Sequence, residues 1–447
     1  MKGSNRVWIL SFGLFVLSVG VWSSLGQGGE PPKALPRARG FLVASDYPSL
    51  QAAIDALPPE GGTVFIPAGT YEITKTIDLT RRYGLGAVPG RAAVTIQGAG
   101  ICSTRLVGKT GDMPIFDLSM SGYCVFRDLY VQGVDCEVGF LMARGPGKGS
   151  AGSHVMENVV MSGRYRKAAV YLMGSEVNRF YNCHFSNTLP DAFTIYFGAG
   201  NMLGVKSPYV EAQGGSNTEL RLYGCTICSF GENSVGLYVR GFASDVSIFG
   251  GYMANRGFSA IVLDGTEACI DRVNIRDIRV EGEYGRHVLY AKGCVRNITI
   301  SGGYWLTTGG EVIRYEVPPK GGTWAENWRI IGLSLNIYDW AFKNPSKPEF
   351  YLQHYPLTDE GYVFARFDDL RHSVLELLWG VVARFEKGEK GQPRTLYPQN
   401  KRLIVIEKMS QGNIIVVRSR KHVLIKGEAK ATRIESLEGE EKIQFAD

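Results

Sequence analysis

The 447-residue sequence has little of what would make it helical, metal-binding or membrane-spanning. Long stretches with helical apolar spacing are scarce, which excludes a helix bundle as the main architecture. No Cys/His cluster has zinc spacing; Cys225-x-x-Cys228 stands alone without a second pair and reads as structural. Charge of one sign is not in large excess. The formal net charge is +6, and +4 without Lys2 and Arg6. That is too mild to imply a nucleic-acid partner, and it is compatible with an acidic polysaccharide. One long hydrophobic run exists, "VWILSFGLFVLSVGVW" (7–22), too short for a firm membrane span. It follows the positive Lys2 and Arg6 and precedes the small residues "SSLG". This is the pattern of a secretion signal over 1–26, cleaved after Gly26, with an uncleaved anchor as the alternative. No Cys follows the run, which argues against a lipoprotein. Residues 27–40 read as a linker. The mature chain is therefore expected to be secreted (extracellular or periplasmic) and free of the membrane.

What is abundant is glycine, 56 residues, together with aromatic and β-branched residues. That combination favours many short strands separated by turns. A repeat organises them. "IRDIRV" (275–280) has relatives in "FRDLYV" (126–131), "MENVVM" (156–161), "FYNCHF" (180–185), "LYGCTI" (222–227), "IFGGYM" (248–253), "ISGGYW" (300–305) and "IIGLSL" (330–335), with "IQGAGI" (96–101) leading the series. Starts mostly differ by 24 to 30 residues; one 42-residue gap, from Phe180 to Leu222, holds a long insertion or a degenerate extra turn. The third position is always Asp, Asn or Gly, the residues that tolerate a left-handed backbone at a tight bend. Each hexamer is therefore two short strands meeting at a corner, and a coil with such a corner describes a parallel β-helix. Asp277 is expected at a corner, with Arg276 and Arg279 outward between buried Ile275, Ile278 and Val280. Eight cysteines suggest disulfides at first. Cys183 and Cys225, however, share the fourth hexamer position and read as stacked core thiols.

The segment "YPSLQAAIDALPPEGGTVFIPAGTYEITKTIDL" (47–79), followed by "VTIQGAG", resembles the opening of the pectate-lyase superfamily of right-handed parallel β-helix proteins. It offers a short amphipathic helix (Leu50 to Leu57), a Gly-Gly turn, a buried strand and "AGTYEI". The helix would cap the open end of the solenoid. The resemblance covers roughly residues 41–340, the expected β-helix. It is specific for fold and leaves the reaction open among lyases, hydrolases, epimerases and tailspikes. Over 341–447 the repeat fades, and further coils or an irregular β cap are expected. There "SVLELLWGVVARFE" has the pattern of a helix, while "KRLIVIEK" and "NIIVVRSRKHVLIKGEAKATRIES" read as strands.

After each hexamer comes a variable loop, then a strand ending near Gly: "GFLMARG", "AVYLMGS", "AFTIYFG", "GLYVRG", "AIVLDG", "HVLYAKG". The resemblance implies that this strand and its flanking loops form the floor of a sugar-binding groove. Aligned on the closing Gly, alternation points Leu237, Ile261 and Leu289 inward. It places Tyr171, Ile195, Tyr238, Val262 and Tyr290 in one outward row, and Arg240, Asp264 and Lys292 in another. Tyr238 and Tyr290 are sugar-stacking residues or ordinary strand aromatics. Arg240, Asp264 and Lys292 are a surface ion-pair ladder or the charged floor of a groove. The loop-to-strand junctions add Asp191, the first carboxylate candidate, then Glu232, Arg286 and His287; their structural alternatives are turn acids and a loop histidine.

The motifs of polygalacturonases are missing: "SNTLPDAF" is a loose echo of Asn-x-Asp, the coils expected over 41–340 contain no Asp-Asp, and Gly-His-Gly and Arg-x-Lys are absent. A hydrolase needs two carboxyl groups across the glycosidic oxygen, and Asp191, Glu232, Asp264 and Glu267 are available for it. Catalytic roles are expected for the first three, and substrate contacts for Tyr238, Arg240, Glu267, Arg286, His287, Tyr290 and Lys292. A lyase needs a base and a cation; Arg240, Lys292 or Arg286 would serve, with calcium held by acids. The hydrolase reading leads and requires no cofactor or metal. The third possibility is a non-catalytic glycan-binding or structural β-helix. A pair of acids facing one groove favours the enzyme, and a groove plugged by the 199–217 insertion favours the scaffold.

Overall fold

The computed structural model describes residues 40–82, 92–144, 151–207, 217–282, 287–307, 311–319 and 325–333, with short strands between 335 and 446. The expected signal peptide and nearly all of the linker lie outside the described residues. The chain forms a right-handed parallel β-helix of about eight turns. The expected capping helix is an α-helix over Leu50–Asp55, two residues shorter than expected. Ser49 caps it, its Oγ accepting from the Ala52 N–H at 3.1 Å. Ala53 and Ile54 are fully buried against the first coils.

The coils stack in one register. Phe126, Met156, Phe180, Leu222, Ile248, Ile275, Ile300 and Ile330 are successive ladder partners. Phe180 pairs directly with Leu222, so the 42-residue gap is a single coil carrying an insertion. The third hexamer residue is left-handed in every case from Asp128 (φ 58°) and Asn158 (φ 50°) to Asp277 (φ 52°) and Gly332 (φ 65°). Arg276 and Arg279 are exposed, and Ile275, Ile278 and Val280 are buried, as the alternation requires. The leading "IQGAGI" differs. Gly98 is strand, and its missing side chain makes room for the Asp128 carbonyl, which a Cβ would meet at 2.2 Å.

A second left-handed corner precedes the first by five residues in every coil, at Tyr123, Ser153, Val177, Glu219, Asp245, Arg272, Asn297 and Asn327. Only Asp245, Asn297 and Asn327 among these are of the Asp, Asn or Gly type, so residue type gives a weak signal for this bend. Inside, the aromatic rings interlock: Phe116 stacks on Phe140 with centroids 4.6 Å apart, and Phe126 meets Phe140 edge-on at 4.7 Å.

Cys183 and Cys225 are buried free thiols on neighbouring coils. One disulfide departs from the free-thiol reading: Cys269–Cys294 joins adjacent coils with Cα atoms 4.6 Å apart. The C-terminal helix expectation is overturned. Described residues of that stretch are strands, Val374–Leu377, Gly380–Val381 and Arg384–Lys387. Val374 and Leu375 extend the ladder of Arg329 and Ile330, so stacking on an existing sheet edge overrides the helical pattern. The strand Ile414–Val417 continues that parallel ladder, and Arg402–Ile406 continues a second one by pairing with Tyr362–Phe367.

Candidate functional site

The strand after each variable loop begins with two consecutive inward residues. Ala169 and Val170, Ala260 and Ile261, and Val288 and Leu289 all belong to the core. Strict alternation then resumes. Leu237, Ile261 and Leu289 face inward, as expected. One outward row runs Leu141, Tyr171, Tyr196, Tyr238, Val262, Tyr290, Arg314. Ile195 does not belong to it: Ile195 pairs with Leu237 and lies in the core, and Tyr196 takes the outward place. The slip has a simple cause. Gly198 pairs with Arg240 and is itself a strand residue, so alignment on a closing glycine displaces this coil by one.

The neighbouring outward row runs Gly198, Arg240, Asp264, Lys292, Glu316. Asp264 is its centre and is only 3% exposed. One carboxylate oxygen accepts from the Tyr238 hydroxyl at 2.5 Å and faces the Lys292 ammonium at 3.1 Å. The other accepts from the Thr266 hydroxyl at 2.6 Å and from the Thr266 N–H at 3.2 Å. Burial works to raise the Asp264 pKa. The hydrogen bonds from Thr266 and Tyr238 and the charge of Lys292 outweigh it and hold the group below the ordinary carboxylate range. The reciprocal effect, burial and the Asp264 carboxylate, pushes the Tyr238 phenol well up.

The same diagonal recurs two coils on. The Tyr290 hydroxyl donates to Glu316, whose other oxygen lies 3.2 Å from Arg314, and Arg314 reaches Asp368 at 2.6 Å. Asp264 and Glu316 thus occupy one row, each receiving a tyrosine hydroxyl, with Lys292 between them. Two coil spacings put their backbones about 10 Å apart. On the preceding coil Arg240 engages Glu267 through both carboxylate oxygens. His287 packs its ring on Tyr290 with centroids 5.5 Å apart, and its Nδ1 lies 3.0 Å from the Glu311 carbonyl. Burial lowers its pKa, which favours a neutral ring.

The two junction acids are elsewhere. Asp191 is an exposed corner residue with φ 52°. Its N–H donates to the Glu232 carbonyl at 2.8 Å, and its carboxylate accepts from Asn233 at 3.1 Å. It stands at the opposite end of the strand, seven residues before the Gly198 level of the charged row, or roughly 20 Å at strand rise. The structure brings together Tyr238, Arg240, Asp264, Glu267, Tyr290 and Lys292, with His287 beside Tyr290, and leaves Asp191 and Glu232 apart. Arg286 lies outside the described residues. Sequence reasoning missed Glu316, Arg314, Thr266 and Asp368. "VIRYEVP" continues the period, but Val317 follows Glu316 where glycine follows Asp264 and Lys292, so the closing-glycine marker fails.

The insertion is partly a plug. Leu203 and Val205 pack on Val138, Leu141, Ala168, Tyr171, Met173 and Tyr196 in a second apolar cluster outside the coils. The Tyr171 hydroxyl donates to the Gly200 carbonyl at 2.9 Å. Cover therefore lies over the coils before Tyr238; beyond it, Lys292 and Glu316 keep 34% and 41% of their side-chain surface. Among the described residues no group of three or more His, Cys, Asp or Glu is placed to hold a metal ion.

No known family model matches the chain, and no curated protein sequence does. Solved structures match its fold. The chain is similar to a mutant DFA-IIIase from Arthrobacter chlorophenolicus A6 in complex with DFA-III, at 8% identity and TM-score 0.50, over 89% of this chain and 98% of that one. It is also similar to the catalytic domain of a GH87 alpha-1,3-glucanase variant in complex with tetrasaccharides, at 15% identity and TM-score 0.43, over 93% of this chain and 70% of that one. The likeness is one of fold.

Proposed function

We propose that this chain is a secreted enzyme that hydrolyses a polysaccharide, with Asp264 and Glu316 as its carboxyl pair. The observation that carries the reading is their placement: one exterior row, two coils apart, each fixed by a tyrosine hydroxyl. Their backbones, about 10 Å apart, stand just beyond the carboxyl separation of inverting glycosidases, about 6.5–9.5 Å, so side chains leaning toward each other leave room for a water on the far face of the sugar. Asp264, held ionised by Thr266, Tyr238 and Lys292, is the base that activates that water. Glu316, the more exposed of the two, is the acid that protonates the leaving oxygen. Lys292 stands between them and stabilises negative charge as it develops. The DFA-IIIase, solved in complex with DFA-III, is consistent with a glycan substrate. Secretion is supported by the apolar N-terminal run and by the Cys269–Cys294 disulfide, a bond typical of oxidising compartments.

The test is a product assay on neutral and uronate polysaccharides, with calcium or with chelator. New reducing ends without absorbance near 235 nm (about the region of unsaturated uronates formed by proton abstraction) are expected. Absorbance that vanishes with chelator overturns hydrolysis in favour of a lyase using Lys292 or Arg240. A second reading, a non-catalytic glycan-binding or structural solenoid, is favoured by the insertion that covers the exterior of the earlier coils. Silence on every polysaccharide would put that reading ahead.

A further inference from the structure

We infer that the groove is blind at its N-terminal side and that the site works from a chain end, releasing short products in sequence; this rests on the hydrolase reading above. The argument is the wall. The row holding Tyr238, Val262, Tyr290 and Arg314 does not stop at Tyr238. It continues through Tyr196, Tyr171 and Leu141, so a bare solenoid would offer a glycan an open track in both directions.

Residues 199–207 close one direction. Tyr196 is 1% exposed and Tyr171 and Leu141 are fully buried on what would otherwise be outer surface. Val205, itself 3% exposed, seals them. The segment runs back across several coils and is tied down along its length. Lys167 donates to the Gly204 carbonyl at 2.8 Å, Lys206 pairs with Asp112 at 3.2 Å, and the Ser207 hydroxyl donates to the buried Asp117 at 2.6 Å. Asn201 folds the segment on itself, accepting from the Val205 N–H at 2.9 Å and donating to its carbonyl at 3.0 Å. Apolar burial plus polar anchors on the coils of Asp112, Asp117 and Lys167 make a fixed wall.

Tyr238 marks where the wall ends. Its ring stacks on Tyr196 at 5.2 Å and meets Phe193 at 5.0 Å, while its hydroxyl turns to Asp264. Asp264 is on the next coil, and Glu316 is two coils further on. From the Tyr238 coil to the Glu316 coil is three coil spacings, about 14 Å. A sugar chain lying along the axis therefore reaches the carboxyl pair with little track left on the wall side. The substrate enters by an end, and few units lie beyond the cut.

The experiment follows cleavage of dextran, inulin and polygalacturonate by the full chain, measuring reducing ends and polymer size by size-exclusion chromatography in the same samples. The expected result on the polymer that is cut is a rise in reducing ends with no shift of the polymer peak and a single short product. An early collapse of the polymer peak overturns the blind groove while leaving the hydrolase reading intact; no cleavage of any polymer overturns both. Val205→Asp, which drives a charge into the apolar seal, is expected to shift the polymer peak at equal reducing ends. Lys167→Met serves the same purpose if Val205→Asp loses its β-sheet circular dichroism. A folded, active variant that still leaves the peak in place refutes the wall as the cause.

Discussion

Substituting Gly302 by alanine should destabilise the solenoid more than the same change at Gly250, although both glycines occupy the same hexamer position. Both are left-handed, with φ 62° and 63°. An alanine in that conformation costs about 1–2 kcal/mol. At Gly250 a Cβ would have nothing within 4 Å, so the cost should stop there. At Gly302 it would meet the Asp277 carboxylate oxygen at 2.1 Å. Asp277 is exposed and can swing away, at a further cost of about 1 kcal/mol for an off-rotamer side chain. Urea unfolding would therefore give about 1–2 kcal/mol for Gly250→Ala and about 2–3 kcal/mol for Gly302→Ala. Asp277→Gly should remove only the extra part when combined with Gly302→Ala. Equal losses at the two glycines, or additivity of Asp277→Gly and Gly302→Ala within about 0.5 kcal/mol, would refute the claim that the Asp277 side chain makes glycine necessary at position 302.

Asp264→Asn and Glu316→Gln should each lower hydrolysis by about 10²–10⁴-fold in initial-rate assays, while Asp191→Asn stays near the parent rate. The folded pKa of Asp264 is lowered, so its stabilising contribution is present above the unfolded carboxylate value of about 3.9 and is lost as pH falls through the folded value; Asp264→Asn should flatten the urea midpoint over that acid window and lower it at neutral pH. Replacing Cys269 and Cys294 together by serine should cost about 3 kcal/mol in the same assay, since the bond closes a loop with sequence separation 25. Val177, a β-branched residue at φ 56°, should be improved upon: Val177→Asn is expected to raise the urea midpoint by the equivalent of about 1 kcal/mol.

Much of this architecture was legible because one of its bends selects residue type. Asp, Asn and Gly at the third hexamer position announce a left-handed backbone, and the register of the core follows from the apolar positions around it. The second bend is less selective: Val177, Glu219 and Arg272 are left-handed there although none is Asp, Asn or Gly. In the candidate site, alternation placed Tyr238, Arg240, Asp264, Tyr290 and Lys292 on one face. It failed at Ile195 and at Glu316 for one reason, reliance on a closing glycine that is itself strand in one coil and replaced by Val317 in another. The reach of residues 199–207 back over earlier coils depends on tertiary contacts with Tyr171, Lys167 and Asp117, which no local pattern encodes.

The constant five-residue spacing between the two bends has a consequence for how such a chain can change. From Tyr123 and Asp128 to Asn327 and Gly332, no coil adds or removes a residue between its bends. All differences in coil length fall on the loops flanking the strand that carries Asp264 and its neighbours. The solenoid thus separates a ruler from a workbench. Two corners keep count and tolerate no insertion, while the remaining edge accepts segments as long as that after Gly198 without shifting the register beyond it. Loop grafts intended to alter what the groove admits belong at that edge. The same grafts between the bends would break the stack.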